Sequence, residues 1–77
     1  MKLRNVGSNM TEFVLGRTSV LFSYETPVAG WDGKGAFRTD TRYSSTTTKH
    51  INKYLGGKGI GRTVPQSYIN ELVSLGQ

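Results

Sequence analysis

At Ser44 the hydropathy pattern of this chain changes period. Before it, side chains alternate. In "TSVLFSY" Val20, Phe22 and Tyr24 fall on one face of an extended segment, and Leu21 and Ser23 fall on the other. After it, Thr47, Ile51, Tyr54 and Leu55 recur at helical spacing, as do Tyr68, Ile69, Leu72, Val73 and Leu75 further on. A chain that alternates first and turns helical later builds a sheet and lays helices against it, which is the α+β class.

The breakers divide the extended part. "TEFVLG" and "TSVLFSY" are joined by Gly16, Arg17 and Thr18, a connection of hairpin length, and "KLRNVG" reads as an edge strand before the Gly7-Ser8-Asn9 turn. In "ETPVAGWDGKG", Pro27 opposes a central strand and the glycines indicate a mobile loop carrying the one tryptophan. "AFRTDTRY" resumes alternation, with Phe37, Thr39, Thr41 and Tyr43 on one face and Arg38, Asp40 and Arg42 on the other. Ser44 or Ser45 supplies the N-cap of the first helix, and Gly56-Gly57 stops it. Thr63 and Gln66 stand at capping-box spacing for the second, with Pro65 in its first turn.

The expectation is one domain over residues 1–77: a small antiparallel sheet of three to four strands within about 1–43, then helices near 45–55 and 64–75 packed on one face. Val20, Phe22, Ile51, Leu55, Ile69, Leu72 and Val73 are expected to share one core. At 77 residues such a fold buries only about 60 to 65% of its unfolded surface, so a second copy or a partner would add stability and a homo-oligomer is within expectation. No cysteine is present, which excludes disulfides and thiolate chemistry. The opening "MKLRNVGSNMTEF" does not read as a signal peptide, and no apolar run is long enough to span a bilayer. The expected setting is therefore cytoplasmic, without a membrane partner.

Charge is concentrated. Residues 1–33 carry three basic and three acidic side chains, whereas residues 34–62 hold Lys34, Arg38, Arg42, Lys49, Lys53, Lys58 and Arg62 against Asp40 alone, a local net of +6. A block this one-sided repels itself and attracts polyanions. Within it lies "SSTTTKHINKY" at 44–54, where Ser45, Thr46 and Thr47 crowd a helix N-terminus and Lys49 and Lys53 lie one turn apart. Amides, hydroxyls and ammonium groups in that arrangement suit phosphate, and Arg38 and Arg42 precede them on one strand face. Trp31 and Tyr43 are the candidate stacking aromatics.

Catalytic patterns are sparse. His50 is the sole histidine, so a two-histidine metal site cannot form, and no acid neighbours it in sequence to complete a triad. "GGKGIGR" at 56–62 follows a helix and not a strand, unlike a phosphate-binding P-loop, and reads as a flexible helix-to-helix connector. No catalytic residue, metal or cofactor is expected.

Through "NVGSN" near the start, "FSYETPVA" at 22–29, "FRT" at 37–39, "TTTKHINKYL" at 46–55 and "VPQ" at 64–66, the chain resembles a family of short proteins encoded by bacteriophages and prophages and catalogued as a domain of unknown function. Tyr43 stands where that resemblance would place a tryptophan. The resemblance implies action inside an infected bacterium and carries no site residues with it. Together these readings favour a non-enzymatic protein that binds a phosphate-bearing ligand, nucleic acid first. The alternative is an anti-defence or host-takeover inhibitor that binds a host protein complex, or one that sequesters a cyclic nucleotide.

Overall fold

The computed structural model describes residues 2–75, with the side chains of residues 3–74. Five strands follow one another as a meander: β1 (Lys2–Gly7), β2 (Met10–Leu15), β3 (Thr18–Ser23), β4 (Thr26–Asp32) and β5 (Gly35–Thr39). Two-residue connections join them, so each pairs antiparallel with the next. Helix α1 (Ser45–Leu55) then carries the chain over the sheet to β6 (Arg62–Val64), which pairs parallel with β5, and α2 (Gln66–Leu75) follows. The sheet order is β1-β2-β3-β4-β5-β6.

This corrects the expected architecture. The sheet has six strands and is mixed, where three to four antiparallel strands were expected. Two of the additions have definite causes. β4 forms through the segment read as a mobile loop because Pro27 sits at an irregularity: Leu21 pairs with Ala29 but Phe22 with Pro27, leaving Val28 as the extra residue of a bulge. A proline lacks the ladder N–H, and a bulge is where a strand tolerates that loss. β6 forms from "RTV", which carries too few residues to show a period. With Val64 extended, α2 starts at Gln66, after Pro65, and Thr63 is not its cap.

The helices also do not share a face. Neighbouring strand residues point to opposite sides, and on β3 both sides are buried: Val20 is 1% exposed and Leu21 0%. Leu21 packs with Met10, Val28, Ala29, Ile51 and Leu55 under α1. Val20 packs with Phe13, Phe37, Val64 and Ile69 under α2, joined at the rim by Phe22, Leu72 and Val73. The single core expected from the sequence is thus two cores divided by the sheet. A parallel crossover needs a connection lying across one face, and α1 takes that face, leaving α2 the other. The bulge turns Val28 and Ala29 to the same side, which enlarges the α1 core.

Local signals set the ends of α1. Ser44 is extended (φ −154°, ψ 166°) and its hydroxyl accepts the Thr47 N–H; Gly56, left-handed at φ 96°, donates its N–H to the Asn52 carbonyl. No helix among the described residues is long and apolar enough to cross a membrane.

Candidate nucleic-acid interface

Helix α1 runs along the strands, from Thr47 beside Ser23 to Tyr54 beside Ser19 at the other end of β3. Thr47, Ile51 and Leu55 are buried against the sheet. Ser45, Lys49 and Lys53, spaced by four on the opposite side, form the outermost ridge and are exposed. The helix contains no acidic residue, whereas α2, "QSYINELVSL", contains Glu71 and no basic one. The two helices therefore carry opposite charge.

The expected phosphate-site residues divide into two groups. Ser45, Thr46, Lys49 and Lys53 stand exposed on α1, and Arg42 is exposed just before it. Thr47 instead is 6% exposed, with its hydroxyl shared between Ser23 Oγ at 3.1 Å and Ser44 Oγ at 3.3 Å. Arg38 is bound inside the chain: its Nε donates to the Ile60 carbonyl at 3.0 Å, and its Nη2 to Asn52 Oδ1 at 3.1 Å and the Gly57 carbonyl at 3.3 Å. The connector read as flexible is therefore fastened to β5. Because β5 ends at Thr39 and the chain bends at Asp40, Arg42 does not continue a strand face with Arg38.

Trp31 and Tyr43 are 42% and 45% exposed. Trp31 pairs with Ser19 and Ala36, both of which face α1, so its side chain leaves the sheet on the α1 side. Tyr43 immediately precedes the N-cap. The two aromatics consequently stand at opposite ends of the α1 layer, with the lysine ridge between them.

His50 meets Ser23, with Nδ1 and Oγ 2.8 Å apart, and its ring lies 5.9 Å from that of Tyr24. A hydroxyl-imidazole contact resembles half of a nucleophilic pair. Ser23 is 2% exposed, however, and a nucleophile must reach its substrate, so the contact ties α1 to β3. No group of three His, Cys, Asp or Glu side chains that would hold a metal ion exists among the described residues.

Two polar clusters escaped the sequence reading because their members are far apart in the chain. Under α1, the buried Glu12 carboxylate accepts from Arg4 at 2.7 Å and from the Tyr54 hydroxyl at 2.5 Å; that hydroxyl also lies 3.0 Å from Ser19 Oγ. Burial pushes the Tyr54 phenol up to about 12, and the hydrogen bond to Glu12 adds to the rise. The available signal was Glu12 itself, a charge sharing a strand face with Met10 and Val14. On the α2 side, Asp32 accepts from Arg62 at 2.8 Å and from the Tyr68 hydroxyl. Burial raises the Asp32 carboxyl, but the hydrogen bonds from Arg62, Tyr68 and the Lys34 amide outweigh it and hold the group below its ordinary 3.8. These are the two ion pairs among the described residues, and neither neutralises a cation of the α1 ridge.

No curated protein and no solved structure matches the chain. A family model does match, over residues 1–71, and on that match the chain belongs to the family of unknown function DUF8033.

Proposed function

We propose that the protein is a non-enzymatic binder of nucleic acid through the α1 layer. The observation that carries this reading is the charge division between the helices: a ridge with Lys49 and Lys53 and no acid in α1, against an α2 helix with an acid and no base. Lys49 and Lys53, one turn apart, repel each other by a few tenths of a kcal/mol, and a polyanion relieves that repulsion. Arg42, Ser45 and Thr46 extend the same surface with a further cation and two hydroxyl donors. The resemblance to short phage and prophage proteins supplies the proposed setting, the cytoplasm of an infected bacterium.

The test is equilibrium binding of labelled oligonucleotides across a salt series. Binding that weakens with salt, with the slope of log K against log salt reduced by about 0.7 to 0.9 in each of Lys49→Ala and Lys53→Ala, is the expected result. Absence of binding at low salt, or lysine variants indistinguishable from wild type, refutes it.

A second reading has its own observation. Beside α2, Leu3, Phe13, Phe22 and Val73 line an open hollow of about 450 Å³, with Leu3 65% exposed. An apolar recess on the surface suits a protein partner, as an inhibitor of a host complex would require. Charge to Ala on α1 would leave that interaction intact, which separates the two.

A further inference from the structure

We infer that the ligand of the α1 layer is single-stranded, and that its path runs from Tyr43, along Ser45, Lys49 and Lys53, to a base stacked on Trp31. This rests on the nucleic-acid reading and specifies the strand state and the contacts within it.

Trp31 is exposed at a strand position where burial is the rule. An indole on a central strand, flanked by the β3 and β5 neighbours Ser19 and Ala36, would ordinarily be covered by the helix crossing that face. The last turn of α1 reaches Ser19 through Tyr54 and ends at Leu55, and Trp31 beside it is left 42% exposed. The Trp31 indole forms no hydrogen bond and no aromatic pair among the described contacts, so its exposed surface is free for a ligand. Tyr43 is likewise exposed at 45% where the chain enters the helix.

Aromatic side chains at both ends of a cationic ridge match the chemistry of an unpaired strand. In a duplex the bases stack on one another, and an aromatic on a protein surface meets phosphate and sugar. In a single strand each base has a free face, and stacking on Trp or Tyr stabilises the contact while the lysines follow the backbone. An eleven-residue helix is about 16 Å long, and with an aromatic at each end the path accommodates about four nucleotides, the lower end of the range for small binding folds. No acidic side chain interrupts the ridge.

Because Trp31 is the single tryptophan, its emission reports the proposed contact directly. Titrate the wild-type chain with short DNA and RNA single strands, with a duplex of the same length, and with polyglutamate, which has the charge but no bases. The expected result is quenching of Trp31 by the single strands, DNA and RNA arms showing which sugar is preferred, with little change from duplex or polyglutamate. By labelled-strand anisotropy, Trp31→Leu should weaken single-strand affinity by roughly five- to 150-fold, the range of one base stack, while Trp31→Phe retains part of it. Tyr43→Leu should weaken it in the same direction. Single-strand binding that depends on Lys49 and Lys53 but leaves Trp31 emission unchanged, or tighter binding of the duplex, overturns the stacking path and leaves the nucleic-acid reading standing. Equal response to polyglutamate, or no binding at all, overturns both.

Discussion

The Tyr54 hydroxyl donates to the buried carboxylate of Glu12 across 42 positions of sequence, and through it α1 is joined to β2. Glu12 is 8% exposed and depends on Tyr54 and Arg4 for its hydrogen bonds. Tyr54→Phe leaves one carboxylate oxygen buried without its donor, so we expect a loss of about 1 to 3 kcal/mol in denaturant unfolding. The phenol's folded value, about 12, exceeds its ordinary 10.0, so its contribution is complete below 10 and fades as pH rises from there through 12. The stability gap between wild type and Tyr54→Phe should therefore narrow over that window. A gap independent of alkaline pH would mean the hydroxyl does not hold Glu12.

Asp32 works in the opposite direction. Its carboxyl titrates below the ordinary 3.8, so the stability it supplies is present above that value and is lost as pH falls through the lower folded value. Asp32→Asn should be less stable than wild type at neutral pH, because Arg62 and Tyr68 lose their charged acceptor. Urea midpoints of the two proteins should converge as pH drops below about 4. Parallel curves would contradict the network.

Gly30 is fixed by close approach. A Cβ there would lie 2.0 Å from the Ser19 carbonyl oxygen and 2.7 Å from Phe37 Cζ. Backbone cannot yield as a flexible side chain can, so Gly30→Ala should be among the most damaging single-methyl additions, by about 1 to 3 kcal/mol or more. Thermal unfolding reads this directly; a variant as stable as wild type would show that the β3–β4 pairing is assigned incorrectly.

Arg38→Ala removes two hydrogen bonds that fasten the connector to β5 and a third to Asn52 of α1. We expect a cost of about 1 to 2 kcal/mol and faster amide exchange through residues 57–60. Oligonucleotide affinity should fall less than in Lys49→Ala, since the guanidinium is already engaged. The reverse order would return Arg38 to the binding surface.

The division of the core predicts additivity. Ile51 lies under α1 and Ile69 under α2, with the sheet between. Ile51→Val and Ile69→Val should each cost about 0.5 to 1.5 kcal/mol, and the double variant should equal their sum within about 0.5. A large coupling energy would indicate one shared core.

What the sequence determined by itself was local. The change of period at Ser44, the Ser44 cap, the Gly56 stop and the exposed ridge of Lys49 and Lys53 all depend on residues within a turn or two of each other, and each is found where the spacing puts it. Tertiary structure decided the remainder. The run Val20-Leu21-Phe22 permits burial on one face or both, and only the crossover of α1 from β5 to β6 shows that both are covered. Pro27 forbids a regular ladder but not a bulged one, and the bulge exists because β3 is beside it. Arg38 looked outward by strand alternation, yet the carbonyls of Gly57 and Ile60, brought back by the chain after α1, captured it. Trp31 stayed a surface residue because the last turn of α1 engages its neighbour Ser19 and leaves the indole uncovered. Hydrogen-bond partners and helix coverage are set by chain segments distant in sequence, and no local spacing encodes their meeting.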